Sequence, residues 1–453
     1  MSLASLLSIA RSAMLAQQSA MSVTAHNVAN AQTPGYSRQR IELTAATPQY
    51  TTMGPVGRGV TEAGIQRVRN TFFDSRYRSE SGLLGNATTM GDFLGQVEAA
   101  INEPSSDGLA TSLDGLFSSF SDLAANPASS SSRALVQQAG QRFVKQLKQL
   151  DSPIREVADG ALTQMRDQVG QVNDLARQIA DLNSAILSSG GLNGSSPDLQ
   201  DRRDVLVDKL SSLVGVRVLE RGDGTIGVAA GDTMLVDGAN VQTLELQGLA
   251  GGGYGLATAT GSTVDPKSGS LCALSQLTST PLPGIQGQLD QLAQALVTTV
   301  NAIHRAGTTL TGATGTDFFD PAGVTAQTIA LAPAIVASGD AIAAGSGAAG
   351  DGTIAQQLAS LATAGNAALG GKSFREFYIG LAGAVGGDVN SATQEADAHQ
   401  TMVDQADTLR ASVSGVSVDE EMVALISQQQ AYSAAAHIVK IADDMMQAVL
   451  GMV

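Results

Sequence analysis

Apolar positions at the start of the chain recur in alternating steps of four and three. From Leu3 they fall at Leu7, Ala10, Met14, Gln17, Met21, Thr24 and Val28, which is the a/d seam of a coiled-coil-type helix. At 1.5 Å per residue such a helix is roughly 40 Å long. Asn27 and Asn30 are weak helix formers, and Pro34 pushes Thr33 out of the helical region. Pro34-Gly35 suits the two central positions of a type II turn. The helix is therefore predicted to end near residue 31, with Thr33, Pro34, Gly35 and Tyr36 redirecting the chain. The other end repeats the pattern. From Val418 the same steps give Met422, Leu425, Gln429, Tyr432, Ala436, Val439, Asp443, Met446 and Leu450. Ser417, with Glu420 three residues on, has the form of a capping box, and Gly451 is a C-terminal stop.

Between the two ends, amphipathic spacing predicts helices over 83–103, 108–127, 129–189, 196–215, 284–305, 354–368 and 374–413. Pro153 is expected to kink or split the longest of them. The stretch "VRVLERGDGTIGVAAGDTMLVDG" alternates apolar and polar residues around Gly-Asp-Gly and reads as a β-hairpin. The expected fold class is mainly α. Long terminal coiled-coil-type helices (1–31 and 417–453) join a helical-bundle column (32–216 and 281–416). A small β-rich outer insertion occupies 217–280, with part of 308–350 as a candidate extension.

The terminal stripes are thin in large residues and broken by Gln, Ser and Thr, so the two helices alone bury little area. Residues 1–41 hold three arginines and no acid, whereas residues 416–453 hold five acids and one lysine. Opposite signs favour pairing. The expected assembly surface is Leu3, Leu7, Met14, Met21, Val28, Asn27 and Asn30 with Val418, Met422, Leu425, Tyr432, Val439, Met446 and Leu450, ordered by being shared among copies. Tyr36 and Arg38 either touch a neighbouring subunit or only fix the turn.

Composition narrows the function. Net charge is −16, with no basic run, which disfavours a nucleic-acid partner. No run reaches the ~18 apolar residues of a membrane span. The N-terminus lacks a basic leader region and Arg11 interrupts its apolar run, arguing against a cleaved leader. One cysteine, Cys272, allows no internal disulfide. The four histidines, His26, His304, His399 and His437, match no metal-ligand spacing. Asp443-Asp444 is a pair whose members point apart on a helix. Gly-Asp-Gly at 222–224 is better explained as a hairpin turn than as a phosphate cradle. No catalytic residue, metal or cofactor is expected.

The segment "NVANAQTPGYSRQ" resembles the N-terminal signature of bacterial flagellar rod, hook and hook-associated proteins. "SGVSVDEEMVALISQQQAYSAAAHIVKIADDMMQAVL" is similar to their C-terminal helix. Within that group, "DGLATSLDGLFSSFSDLAANP", "ARQIADLNSAI", "DLQDRRDVLVDKLSSLVGV" and "FREFYIGLAGAVG" resemble the core helices of the hook-associated protein 1 family. The resemblance is densest at 1–216 and 284–453, and the inserted region departs from it most. It implies a structural subunit between hook and filament, without catalytic activity or cofactor. Its partners would be hook subunits, a second hook-associated junction protein and further copies of itself. It also implies unfolded export through the flagellar type III apparatus, with a cytoplasmic chaperone on the C-terminal helix. The rival readings are another axial subunit, such as a distal rod or hook protein, and an enzyme carried within 217–350.

Overall fold

The computed structural model describes residues 3–51, 54–189, 196–250, 252–347 and 350–451. The first helix, α1 (Leu3–Asn30), is followed by β1 (Gln39–Ala45), β2 (Gln49–Thr51), β3 (Gly54–Val56) and β4 (Val60–Arg67). β1 pairs antiparallel with β4, and β2 with β3. Together they form a long hairpin that runs back along α1. The helical column expected from residue 32 therefore begins only at α2 (Thr71–Ile101). The strands carry Thr, Val and Ile in short runs punctuated by Gly and Pro, which offers no helical period to bury.

The column continues with α3 (Leu109–Ala125), α4 (Ser130–Ser188) and α5 (Pro197–Val214). At 59 residues, α4 is roughly 90 Å long. Pro153 lies inside it without dividing it. The carbonyl that the proline leaves unbonded belongs to Gln149, an exposed residue, so water can satisfy it. Leu147, Leu150 and Ile154 are buried on the opposite side and hold the turns together. Asn70 caps α2 by accepting from the Phe72 N–H, and Ser129 caps α4 by accepting from the Ser132 N–H.

The β-rich insertion comprises β5 (Val216–Glu220), β6 (Ile226–Ala230), β7 (Thr233–Asp237), β8 (Asn240–Val241), β9 (Leu244–Gly248), β10 (Tyr254–Thr258) and β11 (Thr263–Val264). These make a four-stranded sheet in the order β5-β6-β7-β8 and a three-stranded sheet in the order β11-β10-β9. The Gly-Asp-Gly turn joins β5 to β6, with Gly224 at φ +82°. Two asparagines of α4 pin the sheets to the column. Asn183 donates to the Ile226 and Gly238 carbonyls, and Asn173 both donates to the Leu244 carbonyl and accepts from its N–H. The insertion therefore shares one apolar core with the column.

The stretch 265–280 departs from the expected β region. It ends in a helix, α6 (Ser270–Ser279), that packs Leu271, Leu274 and Leu277 into the core. Then come α7 (Pro281–Arg305), α8 (Pro333–Ala337), α9 (Thr353–Ser360) and α10 (Phe374–Ser414). The described residues of 308–350 do not extend the insertion. They fold against the column, where Phe318 and Leu331 close over Gly140 of α4 and Asn301 of α7 bonds the backbone of Phe318 and Phe319. α10 lies antiparallel to α2, with His399 2.9 Å from Glu80 and Ala392 against Gly91. Ser373 and Glu376 form a reciprocal capping box at its start. The last helix, α11 (Val418–Leu450), returns antiparallel to α1.

Candidate assembly surface

The turn after α1 is built as its residues require. The Tyr36 N–H donates to the Thr33 carbonyl at 3.1 Å, and Gly35 has φ +81°, the left-handed third position of a type II turn. A Cβ on Gly35 would also lie 2.2 Å from Val205 Cγ2. The chain then threads a buried polar junction. Asn27 is 1% exposed. Its Oδ1 accepts from the Tyr36 hydroxyl at 2.8 Å and from the Gln39 N–H at 2.9 Å, and its Nδ2 donates to the Gln39 carbonyl and to Glu421 Oε2, both at 2.9 Å. Arg38 completes the knot, with Nε 2.7 Å from Glu421 Oε1 and Nη1 3.0 Å from Glu420 Oε2. Burial, with Asp198, Asp201 and Glu421 nearby, pushes the Tyr36 hydroxyl well above its usual pKa. Asn30 turns back onto the His26 carbonyl and accepts from the Thr33 hydroxyl.

Glu420 spends its carboxylate on Arg38, while its N–H lies 3.5 Å from the Ser417 hydroxyl. The expected capping box is thus half made, its acid diverted to the junction.

From the junction a chain of charges enters the column. The Ser37 N–H and hydroxyl both donate to Asp201, at 2.9 and 2.7 Å. Asp201 meets Arg67, and Arg67, Arg69 and Arg78 converge on Asp204. Arg78 and Arg410 share Asp208. Burial works to raise the Asp204 pKa, but Arg69, Arg67 and Arg78 together bring it down to about 2. Asp201, Asp204 and Asp208 of "DLQDRRDVLVDK" therefore serve arginines from β4, the β4–α2 connection, α2 and α10. Their neighbour Arg203 instead bonds Asn183 Oδ1 and the Gly224 carbonyl.

The two terminal helices meet through small residues. α1 buries Ala10, Ala16, Ala20, Val23, Thr24 and Asn27, and α11 buries Glu421, Ala435 and Ala442. From Ala16 onward this line runs one residue ahead of the seam drawn from large apolar residues. Leu3, Leu7, Met14, Met21, Val28, Leu425 and Val439 are half-buried on its flanks. Val418, Met422, Tyr432, Met446 and Leu450 are exposed, together with Val423, Ile426, Ile438, Ile441 and Met445. Large side chains drew the seam in the sequence, but close helix approach selects alanines. Ala13, Ala16, Ala20 and Ala424, Ala431, Ala435, Ala442, all at seam spacing, were the signal that marks it. Glu421, Ser37 and Gln39 had no sequence signal, because their partners lie far along the chain.

Beside the turn a cleft of about 670 Å³ opens between α1, α4 and α5, walled by Pro34, Leu182, Val205 and Leu206. Among the described residues no group of three or more His, Cys, Asp or Glu is placed to hold a metal ion, and no helix is long and apolar enough to cross a membrane. His304 is buried with both ring nitrogens on backbone groups. Burial, the largest influence on Cys272, raises its thiol pKa.

A family model described as the flagellar hook-associated protein FlgK helical domain matches residues 94–319. Models of the flagellar basal body rod FlgEFG protein C-terminal region and of the flagella basal body rod protein match residues 410–452 and 7–36. Flagellar hook-associated protein 1 of Bacillus subtilis is 32% identical over 493 residues, spanning 98% of this chain and 97% of that protein. The chain belongs to the flagellar hook-associated protein 1 family. The Salmonella typhimurium protein of the same description is 30% identical over 329 residues, covering 70% of this chain and 59% of that one. The flagellar hook junction protein FlgK from Burkholderia pseudomallei shares the fold, with TM-score 0.66 at 16% identity over 75% of this chain and all of the other. As a member of the hook-associated protein 1 family, the chain is a structural component of the flagellum. The two rod-type matches end at or span the junction itself, one closing on Tyr36 and the other taking in Glu420 and Glu421.

Proposed function

We propose that this chain forms the junction between hook and filament, with copies of itself packed side by side through their paired terminal helices. The observation that carries this reading is the outward face of α11. Val423 is 69% exposed, Leu450 70% and Met422 45%, whereas the pair itself is closed by alanines. An apolar face of this extent is a surface awaiting a partner. Each buried alanine methyl contributes on the order of 0.8 kcal/mol, too little to hold long helices against their ordering entropy. The distal turns of the pair therefore gain most of their order from neighbours, while the polar junction anchors the proximal turns.

In this reading the partners are hook subunits on one side, a second hook-associated junction protein on the other, and further copies of this chain. The exposed face of α11 suits a cytoplasmic export chaperone before assembly, and a single buried cysteine suits export in an unfolded state. Mixing the purified chain with hook fragments and imaging their ends tests the proposal. Density confined to the distal end of the hook is the expected result; uniform coating or no binding sinks it.

A further inference from the structure

The hairpin of β1 to β4 has two ends with complementary chemistry. At its root, the Gln39 N–H bonds Asn27, beside the cleft. At its far end, the Val60 N–H meets the Ser12 hydroxyl at 3.3 Å. Ser12 and His26 lie on the same helix, 14 residues apart, which places the start of the tip on the order of 20 Å from the cleft. The tip carries Tyr50, 83% exposed. From Leu43 to Thr61 its one charge is Arg58.

The cleft has the features such a tip needs. Its walls are apolar, at Pro34, Leu182, Val205 and Leu206, and Asp181 and Asp198 stand among its lining residues.

We propose that Tyr50 at the hairpin tip of one copy seats in the cleft of a second copy. The ring fills the apolar walls, and Arg58 faces Asp181 and Asp198. The distance between tip and cleft within one chain prevents a copy from filling its own cleft. The contact is therefore head-to-tail, offset along α1, and repeats from copy to copy as helical assemblies require. This inference rests on the self-assembly reading above and deepens it by naming one contact.

The test uses full-length chains. Tyr50→Cys is placed in one population and Leu182→Cys in another, and the two are mixed, assembled on hook fragments and mildly oxidised. Cys272, the one native cysteine, is buried, so background cross-linking is low. A disulfide-linked dimer that forms in the mixture, and with neither variant alone, is expected. Incorporation of both variants without that dimer overturns the contact but leaves the assembly reading standing. Failure of the unsubstituted chain to assemble overturns both. Should a cysteine variant not incorporate, Tyr50→Ala decides. It is expected to lower incorporation about tenfold, with Tyr50→Phe close to the unsubstituted chain and the melting midpoint of the free chain unchanged. Incorporation of Tyr50→Ala at the level of the unsubstituted chain overturns the contact.

Discussion

Asn27 and Glu421 lie 394 residues apart in the chain, yet the Asn27 amide donates to the Glu421 carboxylate across 2.9 Å. Both side chains are buried, so neither has water as a substitute partner. Replacing Asn27 by Leu removes that donor and also strands the Tyr36 hydroxyl and the Gln39 backbone. A hydrogen bond to a charged group is worth about 2 kcal/mol. Amide exchange in α1 and α11 should accelerate by roughly thirtyfold in the variant, while α4 and α7 keep their protection. Equal protection of α1 in the two proteins would refute the anchoring role of the junction.

The two faces of α11 should respond oppositely to substitution. Met422 is exposed, so Met422→Asp should change the stability of the free chain by less than about 0.5 kcal/mol, yet it places a charge where a neighbour is proposed to pack and should abolish incorporation. Leu7→Asp should act in the same direction. Ala435 is buried against α1. Ala435→Leu overfills that contact and should destabilise the pair by about 1–3 kcal/mol. Thermal melting followed by circular dichroism, alongside a hook-binding assay, separates the two effects. Normal incorporation of Met422→Asp would remove α11 from the interface.

Local signals made the helices legible. The Pro-Gly turn and the apolar spacing of α4 and α7 are each contained in a few residues, and their predicted ends fall close to the observed ones. Three features were not legible, for physical reasons. Among its described residues the hairpin at 39–67 buries only Gln39, so it shows little alternation. Pro153 sits where solvent can take up the unbonded carbonyl, so its usual cost is reduced. The packing line of α1 and α11 is set by how closely two backbones approach, and the larger residues beside it mask the alanines that permit this. That the two terminal helices pair was legible, but not which of their faces turns inward.

Asp204 holds the arginine cluster as a carboxylate, and removing that charge should be costly. Asp204→Asn leaves Arg67, Arg69 and Arg78 short of a partner, and a broken buried ion network of this kind costs about 3–5 kcal/mol. Its folded pKa is depressed to about 2, so its contribution is complete above the unfolded value near 3.9 and is lost as pH falls toward 2. Urea titrations at pH 7 and pH 3 should show the unsubstituted protein losing part of its stability and Asp204→Asn losing less. A parallel loss in the two proteins would mean other carboxylates govern the acid response.

His304 should give a second, separate pH response at milder acidity. Its Nδ1 lies 2.8 Å from the Thr316 carbonyl and its Nε2 2.8 Å from the Ala343 nitrogen, which fixes one neutral tautomer: Nδ1 donates and Nε2 accepts. Protonation places an N–H against the Ala343 N–H and breaks the tie between α7 and Ala343. Burial is the main cause of its lowered pKa, reinforced by Arg133, while the Thr316 bond and Asp317 oppose it. The neutral ring's contribution is therefore complete above the unfolded pKa near 6.5. It is lost as pH falls from there through the lower folded value. The melting temperature should drop between pH 7 and pH 5, with faster amide exchange at Ala343. His304→Gln accepts no proton, so its lower starting stability should stay level across that range. The same slope in the variant would place the sensitive group elsewhere.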